Sequence, residues 1–224
     1  SVAAAVGPIR RREPWTCDPY GRTYRCVDVR RTTYDPYGQS PTGHTGGVVG
    51  YFEGFDVAGF WEDSPVARDE YAEMTPPAPE VIASVEEELG GYRLPGSYVE
   101  LMGVRNGGVP VRVRFPMSEP TSWAGDHLVI NGIMGIGRTR PCSLGGEFGS
   151  RFWIEEWEYP DIGVYFADTP SAGHDMLALD YRACGAGGEP VVVHVDQEND
   201  FAITFAAESF EAFARGLEST AFGL

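Results

Sequence analysis

Apolar positions follow a helical period in the first half of the body and a period of two in the second. Val81, Ile82, Val85 and Leu89 fall on one face of a helix, with Glu86, Glu87 and Glu88 on the other. Pro79 suits its first position, and Gly90-Gly91 stops it. Leu94-Pro95 opens a second short helix carrying Tyr98, Leu101 and Met102, which closes at Asn106-Gly107-Gly108. Upstream, Phe60 to Pro65 predicts a short polar helix through about Tyr71, followed by the linker Thr75-Pro-Pro-Ala-Pro79.

From residue 109 the spacing predicts strands at Val111–Phe115, Leu128–Ile136, Phe152–Trp157, Gly163–Ala167, Met176–Tyr181, Pro190–Asp196 and Phe201–Phe205. The polar turn Gln197-Glu-Asn-Asp200 implies an antiparallel hairpin between the last two. Ser209 caps a closing helix whose Phe210, Phe213 and Leu217 keep the i, i+3, i+7 rule. Helices, a meander and a final helix make an α+β domain with an antiparallel sheet. We expect that domain over residues 60–224.

Residues 1–59 read as an ordered extension rich in Arg, Tyr and Gly. Asp-Pro-Tyr-Gly occurs at 18–21 and again at 35–38, each a good type I turn. Between them, Arg22 to Tyr34 favours a strand. Residues 1–50 hold seven arginines and four acids, a net of +3; the remainder holds ten arginines and twenty-nine acids, a net of −19. The extension is therefore expected to lie along the body or a neighbouring copy, with several of Arg22, Arg25, Arg30 and Arg31 facing acids.

That charge changes the picture of partners. The chain contains no lysine and carries −16 overall, so its acidic body repels phosphate backbones and favours basic proteins. Solubility is the plainer use of such a surface. No apolar run nears the roughly 18 residues of a membrane span. The first residues lack a basic stretch followed by an apolar one, so a cytoplasmic protein is expected. Cys17, Cys26, Cys142 and Cys184 have no paired metal or redox spacing; thiols are expected, with a Cys17–Cys26 bridge open if the chain is exported.

Candidate chemistry is thin. Asn131-Gly-Ile-Met-Gly-Ile-Gly137 lacks the lysine and the following helix of a phosphate loop, so close strand packing explains its glycines better. Asp126-His127, His174-Asp175 and His194-x-Asp196 supply pairs but not three or four convergent ligands, so no metal and no cofactor are expected. His194 and Asp196 would share a strand face. Ser171-Ala-Gly-His174 lacks a nucleophile elbow. The cluster from Asp196 to Asp200 is too short for a calcium loop and reads as a hairpin tip.

One segment suits protein binding. Glu155, Glu156, Trp157, Glu158, Tyr159 and Asp161 combine steering acids with aromatic anchors. On a strand, Glu156, Glu158 and Pro160 would face away from Glu155, Trp157 and Tyr159. A strand with an inward Trp and solvated acids explains the same residues equally well.

The order of motifs resembles a known family. Glu86-x-x-Leu89-Gly-x-Tyr92-x-Leu94-Pro95-x-x-Tyr98, closing on Asn106-Gly107-Gly108, is similar to the N-terminal signature of the SUKH superfamily, which includes the fungal Smi/Knr cell-wall assembly regulators. Ile133-Met-Gly-Ile-Gly137, Trp157-x-x-Pro160, Phe166-Ala-Asp168, Leu179-Asp180-Tyr181 and Ser209-Phe210-x-x-Phe213 resemble the rest, covering about 60–218. The resemblance implies an α+β fold without catalytic residues, and for bacterial members an immunity protein that neutralises a cognate toxin of a polymorphic or contact-dependent system. It transfers no individual binding residue, and the long extension has no counterpart in it. Alternatives are an intracellular regulator or scaffold binding another protein, and a small hydrolase using His174 and Asp175.

Overall fold

The computed structural model describes residues 50–219, together with the backbone of a short hairpin in the extension. That hairpin pairs β1 (Trp15–Cys17) antiparallel with β2 (Thr23–Arg25), the two flanking the first Asp-Pro-Tyr-Gly. Cys26, Arg22, Arg30 and Arg31, and the side chains of Cys17 and Arg25, lie outside the described residues, and with them the expected pairing of the extension with acids of the body.

The body begins before residue 60. Phe52 is buried, and the Glu100 carboxylate accepts the N–H groups of Tyr51 and Phe52 at 2.9 and 3.1 Å. Arg215 lies over the rings of Phe52 and Phe55 and donates to the carbonyls of Tyr51 and Glu53, clamping this stretch to the closing helix. The short polar helix expected from Phe60 to Tyr71 is confined to a π-helical turn, Ala67–Tyr71. Trp61 instead bridges to Pro110, and both Phe60 and Trp61 are buried.

Helix α1 (Pro79–Glu88) starts on its proline and ends at Gly90 and Gly91, whose φ values of +93° and +83° let their N–H groups return to the carbonyls of Glu87 and Glu86. Ile82, Val85 and Leu89 face inward. Glu86 departs from the solvated face expected of it. It is buried, accepting Leu94 N–H and Arg93 Nη1 at 2.9 Å each, and so fixes the turn into α2 (Gly96–Val104).

The main sheet is an antiparallel meander of β5 (Gly132–Ile133), β6 (Gly163–Asp168), β7 (Asp175–Asp180), β8 (Val191–Asp196) and β9 (Ala202–Ala207), paired in sequence order. Strands β3 (Arg114–Pro116) and β4 (His127–Val129) form a separate antiparallel pair. The single strand expected over Leu128–Ile136 is thus broken. Ile130 N–H still bonds Val113, whereas Asn131 N–H bonds Asp168 and its amide holds the Asp168 carboxylate and Thr169 carbonyl at 2.8 Å. The chain changes sheets at Asn131.

Both faces of the sheet are covered. Phe166 meets Tyr98 of α2 and both Phe210 and Phe213 of α4 (Phe210–Gly216), at centroid separations of 6.1, 5.6 and 5.6 Å. Its neighbour Tyr165 points the other way, to Tyr159 at 5.2 Å, because successive strand residues alternate. Ser209 caps α4 as expected, accepting Ala212 N–H, and Phe210, Phe213 and Leu217 are buried.

A further correction concerns α3 (Ser150–Glu156), where the apolar pattern predicted a strand over Phe152–Trp157. Short apolar runs fit either period. The helix wins because it pairs Arg151 with Glu155 and Trp153 with Trp157 at i, i+4, the latter at 5.3 Å between centroids.

Candidate functional site

Two polar assemblies organise the domain. The first is an interior seam between the Asn106-Gly-Gly turn and the strand beyond Ile133. Asn106 is buried; its Oδ1 accepts Ile136 N–H at 2.7 Å and its Nδ2 donates to the Ile136 and Thr75 carbonyls. Gly107, at φ +92°, and Gly135 pack so closely that a Cβ on Gly107 would lie 2.6 Å from Gly135 N. Close approach, as the sequence suggested, explains these glycines. Tyr71 donates to Asp168 at 2.8 Å; burial pushes the Asp168 carboxyl up, against the hydrogen bonds from Asn131 and Tyr71. Cys142 is a free thiol, pushed up to about 12 by burial and then by the charges of Asp168 and Glu70. Such a thiol is a poor nucleophile.

The second assembly is a corner where three loops meet: the end of α3, the β6–β7 turn and the β8–β9 turn. Tyr159 ties them together, donating to the Gly173 carbonyl at 2.7 Å and packing on Phe201 at 5.2 Å. Trp157, half-buried, meets His174 edge-on at 6.1 Å. His174 Nδ1 lies 3.0 Å from both Gln197 Oε1 and Glu198 Oε1, and Gln197 N–H bonds the His174 carbonyl. Gly173, at φ +95°, leaves room for the rings, since a Cβ there would approach Trp153 to 2.7 Å and Trp157 to 3.3 Å.

Among the described residues, four non-glycines hold positive φ: Glu158, Ala172, Asp200 and Phe201. All four lie in these three loops. Left-handed backbone at non-glycine residues is strained and persists where its surroundings hold it in place.

The six residues expected to bind protein are therefore split. Glu155 is exposed but held by Arg151 at 2.7 Å, and Asp161 lies 3.7 Å from the same guanidinium. Glu156 and Glu158 are exposed, and no arginine pairs with them among the described residues. Trp157 is partly accessible. Tyr159 is a core residue, 2% exposed, so its ring is an internal support rather than a contact. Burial, then the charges of Asp175 and Asp196, push its phenol up. The alternating faces expected for 155–160 do not form, since α3 is a helix that ends at Trp157.

Sequence reasoning missed Glu198 and Asp200 as companions of this segment. They sit about forty positions away, and only the turn Gln197-Glu-Asn-Asp200 hinted at a polar tip.

The histidine pairs also rearrange. His174 faces Gln197 and Glu198, whereas Asp175 Oδ1 lies 3.2 Å from Nε2 of the fully buried His194. That contact is close without hydrogen-bond geometry. Asp196 caps the turn through Asn199 N–H rather than pairing with His194. Ser171 Oγ accepts Asp175 N–H and the Thr169 hydroxyl. A hydrolase built on His174 and Asp175 would need a histidine against that hydroxyl, and His174 points to Gln197 and Glu198 instead. Among the described residues, no three His, Cys, Asp or Glu side chains are placed to hold a metal, and no helix is long and apolar enough to cross a membrane.

A buried seam of turn-defining residues joins two short helices to a five-stranded meander in an α+β scaffold. A family model described as SMI1-KNR4 cell-wall, of the SUKH group, matches residues 79–213, more than half of the chain, and the protein belongs to that family. No curated protein and no solved structure matches it.

Proposed function

We propose that this protein is a non-enzymatic binding domain acting in the cytoplasm, and that it serves as an immunity protein against a cognate toxin. The observation that carries this reading is the corner itself. A partly accessible tryptophan lies where three loops meet, and those loops also carry the exposed acids Glu156, Glu158, Glu198 and Asp200, on a body of net −19. Many toxins that act on nucleic acid present basic clefts, and an acidic surface speeds encounter with such a cleft and can occupy it. Family membership supports binding to a protein in general, and the toxin is our extension of it.

The test is a hydrogen-exchange footprint of this chain with the toxin encoded beside its gene. Protection of residues 155–161, 172–174 and 197–201 is expected. A complex that protects only surfaces remote from these loops would move the interface elsewhere. Capture of a different protein, with no binding to the neighbouring toxin, would favour a regulator or scaffold.

A further inference from the structure

We propose that residues 26–34 of the extension add to the outer side of β9 as a sixth strand of the main sheet. The proposal is independent of the toxin reading and concerns how the sheet is closed.

The two ends of the sheet differ. At one end β5 has only two residues, and its outer side is occupied: Ile133 and Gly108 exchange backbone hydrogen bonds in both directions, at 2.8 and 3.0 Å. At the other end β9 runs for six residues, Ala-Ile-Thr-Phe-Ala-Ala, and among the described residues no strand lies beyond it. Ala202 to Ala206 are half-buried, whereas β7 is buried along its whole length. An uncovered edge invites pairing with other chains, and proteins guard such edges with charge, proline, a bulge or short length. β9 carries no charge and no proline. Its register with β8 shifts only near its end, opposite Val192 and Val193, which leaves residues 202–205 regular. A strand built this way calls for a cover.

The extension supplies a segment of fitting chemistry. Residues 26–34 read Cys-Val-Asp-Val-Arg-Arg-Thr-Thr-Tyr, and their β-branched and aromatic side chains favour a strand. Val27 and Val29 share one face of such a strand, as Ile203 and Phe205 share one face of β9, and apolar cross-strand pairs of this kind stabilise a ladder. Charge agrees: Arg30-Arg31 belong to an extension of net +3, against a body of net −19 whose exposed Asp200 and Glu208 flank β9. The chain also enters the body close by. The carbonyls of Tyr51 and Glu53 accept Arg215 of α4, the helix that follows β9 and packs against it. Residues 35–49 reach up to roughly 50 Å when extended, enough to pass along a body on the order of 40 Å across.

The test is NMR of the uniformly labelled full chain, with amide hydrogen exchange. Cross-strand contacts between residues 26–34 and 202–206 are expected. Every second amide of β9, the set pointing away from β8, should exchange slowly. Val27→Pro with Arg30→Pro leaves the body untouched and removes donors from both sides of the added strand, one of them aimed at β9 whichever way that strand faces. It should speed exchange of the alternate β9 amides by at least about tenfold, with those of β6 and β7 unchanged. A folded parent chain without contacts between the two segments would overturn the proposal, and so would alternate amides that exchange alike in parent and variant. Protection that grows with protein concentration, alongside dimers in sedimentation, would give the edge to a second copy. Protection that arises only with an added partner would give it to that partner, and either result overturns the proposal as well.

Discussion

The seam around Asn106 and the corner around Trp157 are made of the same materials: carboxylates, aromatic rings and glycines under close contact. In the seam, at the turn after α1 and at the end of β7, three acids have their donors. Glu86 holds Leu94 N–H and Arg93, Asp168 holds Asn131 and Tyr71, and Asp180 is gripped by the Arg182 fork. At the corner Glu156 and Glu158 face solvent without such donors, and the backbone is strained at four non-glycine residues. Buried polar groups that are fully satisfied specify a fold. Exposed acids without ion-pair partners contribute little to folding. The contrast directs the search for function to the corner rather than to the seam.

Substitutions separate the two regions, beginning with the largest expected loss. Phe213→Ala removes a fully buried ring that touches both Phe166 and Phe115, and should cost about 3–5 kcal/mol in urea unfolding. A loss below about 1 kcal/mol would mean that α4 is not seated on the sheet as described.

Asn106→Ala comes next. It strands the buried Ile136 N–H and removes the donor to two carbonyls, for an expected loss of about 2–3 kcal/mol. Near-neutral behaviour would contradict the structural role given to the seam.

Gly173→Ala should cost about 1–2 kcal/mol, because it puts a side chain into left-handed backbone and against Trp153. It also sharpens the comparison, since partner binding should fall by more than the stability loss predicts if the corner must hold Trp157 in place. Binding that survives unchanged would show that the contact does not depend on that ring's position.

The sequence made the seam legible and the corner only half so. Pro79, Gly90-Gly91, Asn106-Gly107-Gly108 and Ser209 act locally, each through a cap or turn that its own residue type dictates, so their roles follow from spacing alone. The meander was readable because its four strands are short apolar runs bounded by polar turns, although burial on both faces erases a strict period of two. The sequence misled at Phe152–Trp157, where six residues fit both periods and the deciding contact, Arg151 with Glu155, starts just outside the apolar run. It also misled at Asn131, since a strand that changes sheets keeps its alternation while changing partners. His174 meets Trp157, and Glu198 meets His174, through loops that sequence order alone does not bring together. Tyr159 looked like a contact residue because its burial depends on Phe201 and Gly173, both remote in the chain.

The central claim is that the corner, unlike the seam, exists for a partner. Charge reversal of Glu156 and Glu158 to arginine tests it most directly, through association kinetics with the toxin encoded beside the gene at low and moderate salt. Both residues are exposed and without ion-pair partners among the described residues, so stability should change by no more than about 0.5 kcal/mol per site. The account predicts markedly slower association at low salt and a flattened salt dependence, with the fold intact. Association rates that match the parent protein at both salt concentrations would contradict it.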